Sequence, residues 1–229
     1  MTTLIFSAVV PVFIIILYIY VRDKYEKEPK RLLLGHFILG AVVSIVITTV
    51  IYFITGRWFP LYENTLLNQF IKAFFIVALT EEFSKYVIVR YIAQPHKAFN
   101  EPFDGIMYAV MVSMGFAATE NIMYVLNGGY GVALIRAFTA IPAHATFAIL
   151  MGYFMGKAKF SSRRWQLNLL GLSLAVLFHG AYDFFLFIDF VPGIWIGAFV
   201  SLVVGIVLSL NAISRHQKRS FFRRRHKQE

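Results

Sequence analysis

Apolar residues along this chain gather into seven long blocks, near 3–21, 32–54, 69–91, 104–126, 133–155, 167–188 and 193–213, parted by short polar stretches. Each block has the roughly 17–25 residues that a helix needs to cross about 30 Å of hydrocarbon. Helix is the expected form in every one, because lipid offers no partner to an unpaired backbone group. The pattern predicts an all-α fold, a polytopic transmembrane helical bundle of about seven spans. The first block lacks a basic leader and a small-residue cleavage site, and "RDKYEKEPKR" follows it, so it reads as an uncleaved span.

The positive charges orient the bundle. Arg22, Lys24, Lys27, Lys30 and Arg31 follow the first block, Lys97 follows the third with Arg90 at its edge, and Lys157, Lys159, Arg163 and Arg164 follow the fifth. The tail after residue 213 adds seven more. The opposite side holds Arg57, with Lys72 and Arg136 near span ends. The positive-inside rule then puts the N-terminus outside and the C-terminus in the cytoplasm. Connections are too short for a soluble domain, so 1–213 reads as one transmembrane domain and 214–229 as a basic cytoplasmic tail that can meet anionic lipid headgroups. The longest outer connection, 55–68, carries interfacial aromatics.

Composition agrees. Of 229 residues, 59% are hydrophobic, and the mean hydropathy is +0.67, above the usual range for soluble domains. A net charge of +10 would suit nucleic acid, but its confinement to one side of the spans is the signature of membrane insertion, so no nucleic-acid partner is expected. With no cysteine, disulfides, thiol nucleophiles and thiolate metal sites are excluded.

The informative residues are those that do not belong in lipid. "ALTEEFSKYVIV" (78–89) puts Glu81, Glu82 and Lys85 mid-span, and the fourth block holds Glu120 and Asn121. His144 lies in the fifth, and His179 with Asp183 in the sixth. A charge at the bilayer centre costs at least about 2.5–3.5 kcal/mol. At about 1.5 Å of rise per residue, Glu81, Glu82, His144 and His179 all reach mid-membrane, with Glu120 and Asp183 nearer the outer face. Glu81 and Lys85 are i,i+4, Glu82 and Lys85 i,i+3, and His179 and Asp183 i,i+4, so each pair can share a helix face. Asp104, at a helix start, reads as an N-cap, and His36 as a boundary residue open to hydration. Gly115, Ala117 and Ala118 just before Glu120 suit close helix packing in lipid.

Carboxylates and imidazoles around one cavity suit activation of water. A buried Glu can take its proton, and His or Asn donors can stabilise the oxyanion that forms on attack at a carbonyl. The same groups could hold zinc, with His144, His179 and Glu82 or Glu120 as ligands and another Glu as base. The residues leave a zinc site and a metal-free glutamate mechanism both open. There is no H-E-x-x-H, G-x-S-G or G-x-G-D sequence. The rival reading is a proton- or cation-coupled transporter using these groups as a relay, against which stands the scarcity of Pro- or Gly-broken spans and of repeats. A non-catalytic scaffold is a third.

Four blocks, "EEFSK" (81–85), "FDGIMYAVMVSMGFAATEN" (103–121), "HATFAILMG" (144–152) and "HGAYD" (179–183), together resemble the PrsW family of bacterial intramembrane proteases. "RDKYEKEPKRLL" adds to the likeness, which runs from about residue 10 to 190. One departure is Ala109, where the family often has glycine. The resemblance implies a protease of the bacterial cell membrane that makes the first (site-1) cut, on the extracytoplasmic side, in a single-pass membrane-anchored anti-sigma factor. It implies Glu81, Glu82 and His179 as essential residues, with Glu120, His144 and Asp183 as further members. Lys85 is expected to tune the pair, and Asn121 to orient water or substrate. The family is distantly similar to type II CAAX prenyl endopeptidases.

Overall fold

A computed structural model describes residues 1–58 and 64–223. The described residues are almost wholly helical. Helix α1 spans Thr2–Arg22. Helix α2 runs without a break through Lys30–Leu39, a π-helical segment Gly40–Ser44, and Ile45–Trp58. Helix α3 joins Leu66–Ile71, a π segment Lys72–Ala78, Leu79–Ile88 and a second π segment Val89–Ala93. Then follow α4 (Pro102–Phe138), α5 (Ala140–Lys159), α6 (Arg164–Phe187) and α7 (Ile196–Arg219). This is an all-α polytopic bundle.

Among the described residues, five stretches are long and apolar enough to cross a membrane: Thr2–Arg22, Lys30–Arg57, Pro102–Lys159, Arg164–Phe187 and Ile196–Arg219. The third has 58 residues and folds back on itself, so it is long enough to cross twice. Helix α3 falls outside this group because Lys72, Glu81, Glu82, Lys85 and Arg90 interrupt its apolar run. The reversal between α4 and α5 begins at Gly129, whose φ of 71° and ψ of −162° leave the helical region, a conformation open to glycine without steric cost.

Helix α4 is the centre of the bundle. From Pro102 to Ala118 every residue is buried, as expected of a helix that is apolar all round. Its glycines let other helices touch its backbone. Gly105 meets Gly152 and Gly156 of α5, which makes α4 and α5 an antiparallel pair, and Gly115 meets Phe37 and Ala41 of α2. A Cβ at Gly115 would collide with the Phe37 carbonyl. The small residues before Glu120 thus serve close approach.

Several boundary residues take other places than expected. Asp104 sits inside the first turn of α4, and its Oδ2 accepts from the backbone N–H of Asn100 at 2.6 Å and of Glu101 at 2.8 Å, so it caps from the third helical position. His36 is buried, not hydrated: its Nδ1 donates to the Leu32 carbonyl at 2.8 Å and its ring lies 4.7 Å from that of Tyr108. Helix α7 continues past residue 213, where His216 Nε2 donates to the Tyr153 carbonyl at 2.9 Å. Residues 224–229 of the tail, and residues 59–63 of the aromatic 55–68 connection, lie outside the described residues.

Candidate active site

The acids of α3 follow directly on a π segment. Such a segment inserts a residue into the helical phase and occurs often at functional sites. The phase it sets turns Glu81 and Glu82 inward, where they are 4% and 0% exposed. Lys85, one turn on, lies 2.7 Å from Glu82 Oε1 and 3.5 Å from Glu81 Oε2. Its ammonium also rests 4.2 Å from the centre of the Phe116 ring.

Three other helices reach the same place. His179 of α6 donates from Nδ1 to Glu82 Oε1 at 2.9 Å, and its Nε2 lies 3.2 Å from Asp183 Oδ2. Its ring stacks on Phe147 at 4.8 Å and 15°, which fixes its plane. His144 of α5 places Nδ1 3.4 Å from the Lys85 ammonium and Nε2 3.0 Å from Glu120 Oε2. An ammonium can only donate, so Nδ1 accepts and Nε2 carries the proton given to Glu120.

A cavity of about 550 Å³ opens on this cluster, in the half of the bundle where α2 ends and α3 begins. Glu81, Glu120, His144, His179 and Asp183 line it. Glu82 and Lys85 stand behind Glu81 and do not. Asn121 is turned away: its amide donates to the Ala8 carbonyl at 2.7 Å, and its oxygen accepts from Arg136 Nε at 2.7 Å.

Two lining residues escaped the reading of the sequence. Arg136 donates from Nη2 to Glu120 Oε2 at 2.6 Å. In the sequence it is one of several basic residues at span ends, with nothing to mark a partner sixteen positions back. Tyr52 donates to Glu81 Oε1 at 3.0 Å. A signal existed for it, because Ser44, Thr48 and Tyr52 recur every four residues in an apolar span and so form one polar stripe. That stripe faces α3, with Thr48 donating to Ser84 Oγ at 3.1 Å.

The donor set fits a metal ion. Ligand atoms of Glu81, Glu82 and His179 lie within 4.8 Å of one another, as do those of Glu81, Glu120 and His144. Glu81 Oε2 and Glu82 Oε2 are buried and accept no hydrogen bond, so both can coordinate without breaking one. Glu81, Glu82, Glu120 and Asp183 also outnumber the permanent cations Lys85 and Arg136, and a divalent ion would cancel that surplus. The two histidines belong to different groups, and Glu81 is the acid common to both.

A pocket lined by acids and imidazoles inside a helical membrane bundle is suited to activating water, the chemistry of a membrane-embedded hydrolase. The chain matches the PrsW family intramembrane metalloprotease over residues 28–212, and it belongs to that family. It is 35% identical to Protease PrsW of Geobacillus kaustophilus over 201 residues, covering 87% of each chain. It is 37% identical to Protease PrsW of Oceanobacillus iheyensis over 187 residues, covering 81% of this chain and 84% of that one. Protease PrsW of Bacillus subtilis is 35% identical over 188 residues, with the same coverage. No solved structure matches the chain. The protein is a multi-pass membrane protease, which sets aside the carrier reading.

Proposed function

We propose that the chain makes the first cut in a single-pass, membrane-anchored anti-sigma factor, on the outer side of the bacterial cell membrane. The observation that carries this reading is that Glu81, alone of the α3 acids, lines the cavity, facing Glu120, His144 and Asp183. The distribution of Lys and Arg, which puts that half of the bundle outside, supports a site entered from the extracytoplasmic face.

Glu81 takes a proton from a water in the cavity as the oxygen attacks the scissile carbonyl, and returns it to the leaving amine. Tyr52 and Lys85 hold the Glu81 carboxylate in place. His179, oriented by Glu82 through Nδ1, turns its Nε2–H from Asp183 to the oxyanion as that charge forms. Glu120 fixes the tautomer and direction of His144, and Arg136, itself held by Asn121, fixes Glu120. Glu82 with His179, or Glu120 with His144, would hold the metal that the family description implies and leave Glu81 as the base. When bound, such an ion supplies Lewis-acid stabilisation and a more acidic water.

Purified Glu81→Ala, Glu82→Ala and His179→Ala proteins should insert like the parent yet lose cleavage of a single-pass anti-sigma factor. Full activity in all three would end the assignment of the site. Equal cleavage of an unrelated single-pass protein would end that of the substrate. Complete removal of metal should abolish cleavage and zinc restore it; activity that survives removal leaves the glutamate mechanism alone.

A further inference from the structure

A second group of acids lies at the opposite end of α4 and takes no part in the site above. Asp23, Glu28, Glu101 and Asp104 are all at most 2% exposed, and Glu26 is half-buried beside them. Three come from the connection between α1 and α2, and two from the start of α4. Asp104 and Glu120 are sixteen residues apart on one helix, which separates the two clusters by about 24 Å.

The cluster is short of positive partners. Among the described residues no lysine or arginine forms an ion pair with any of the five. The Lys27 ammonium is taken by the backbone carbonyls of Tyr20 and Asp23. Individual oxygens are satisfied: Glu28 Oε2 accepts from the Tyr108 hydroxyl, Glu101 Oε2 from Ser220, and Asp104 Oδ2 from two backbone N–H groups. Others are not. Glu26 Oε2, Glu28 Oε1, Asp104 Oδ1 and both oxygens of Asp23 are buried without a hydrogen bond. An unpartnered buried carboxylate is costly, and here several converge. Ligand atoms of Glu26, Glu28 and Asp104 lie within 4.8 Å of one another.

We propose that Glu26, Glu28 and Asp104 bind a hard divalent cation, Mg²⁺ or Ca²⁺, which ties the α1–α2 connection to the foot of α4. The chemistry of the donors selects the ion. The set is all oxygen, with neither imidazole nor thiolate, and hard cations take oxygen ligands. Glu28 and Asp104 each keep one oxygen for the ion while Tyr108 or the start of α4 holds the other, so these two ligands are oriented in advance. Carboxyls so placed gain from a cation among them.

The test is thermal unfolding and equilibrium dialysis of the purified full chain in detergent, first stripped with chelator, then titrated with Ca²⁺ and separately with Mg²⁺. The wild type should gain a saturable upward shift in its midpoint and bind the ion. Glu26→Gln and Glu28→Gln should each weaken binding at least tenfold. Glu81→Gln, in the other cluster, should leave this shift unchanged. Glu26 is half-exposed, so its variant folds even if Glu28→Gln does not. No shift and no binding by the wild type with either ion, or a shift unaltered in Glu26→Gln, overturns the proposal.

Discussion

The pair Arg136–Glu120 offers a quantitative check on how the site is held. Arg136 Nη2 lies 2.6 Å from Glu120 Oε2, with side-chain exposures of only 15% and 16%. Two opposite charges about 4 Å apart attract by about 4 kcal/mol at an effective dielectric constant of 20. Partial hydration by the cavity and the desolvation of both groups reduce this, and a hydrogen bond to a charged group contributes about 1.5–3 kcal/mol net. The expected coupling is therefore about 2–3 kcal/mol. It is measured with a double-mutant cycle on Arg136→Met and Glu120→Leu, read from unfolding equilibria in mixed micelles titrated with denaturing detergent. The Arg136 bond to Asn121 is lost in both variants that lack the arginine, so it cancels in the cycle. A coupling below about 1 kcal/mol, the level of a solvated surface pair, would refute the placement of this arginine.

Replacing Lys85 by Met should cost about 3–5 kcal/mol of stability, because it strands buried Glu81 and Glu82 without their cation; Lys85→Met with Glu82→Leu should be milder than Lys85→Met alone, which the same unfolding assay checks. Gly115→Ala should cost about 1–3 kcal/mol, since its Cβ meets backbone of α2 that cannot rotate aside, and cleavage should fall with it as Tyr52 of α2 is moved from Glu81. Asp23→Asn should flatten the pH dependence of stability in chelator. The folded carboxyl, near 7, holds its proton where the unfolded one, near 3.8, has lost it, so wild-type stability falls as pH rises from about 4 to 7 and the variant is the more stable at pH 8, by thermal midpoint.

Much of this was legible in the sequence for a single physical reason: lipid tolerates few charges. The blocks that end near 54, 91 and 188 correspond to rods α2, α3 and α6, and the acids and imidazoles stood out because nothing else explained them in an apolar run. What stayed hidden depends on phase and partnership. Asn121 follows Glu120 directly, and the 100° between neighbours turns it to α1 and away from the cavity. The π segments, which leave no mark in hydropathy, change that phase in α2 and α3. Arg136 resembled a topogenic charge until α4 and α5 were seen to fold together. Asp23, Glu26 and Glu28 were masked by the basic residues between them, because "RDKYEKEPKR" has the composition of an ordinary solvated loop while its acids point inward.

The cost of burying these groups bears on what they are for. Each buried ion carries a desolvation penalty of several kcal/mol, and even a well-made pair seldom does better than apolar packing of the same volume. Four carboxylates with two permanent cations are thus a poor device for stability. Their arrangement is better explained by division of labour. Glu82, fully buried, touches Lys85 and His179 and cannot reach a substrate. Glu81, held by Tyr52 and leaving one oxygen without a hydrogen bond, faces the cavity. One acid of an adjacent pair builds the site and the other is free to act in it, a distinction that the 100° step of the helix makes possible and that two acids on one face would not give.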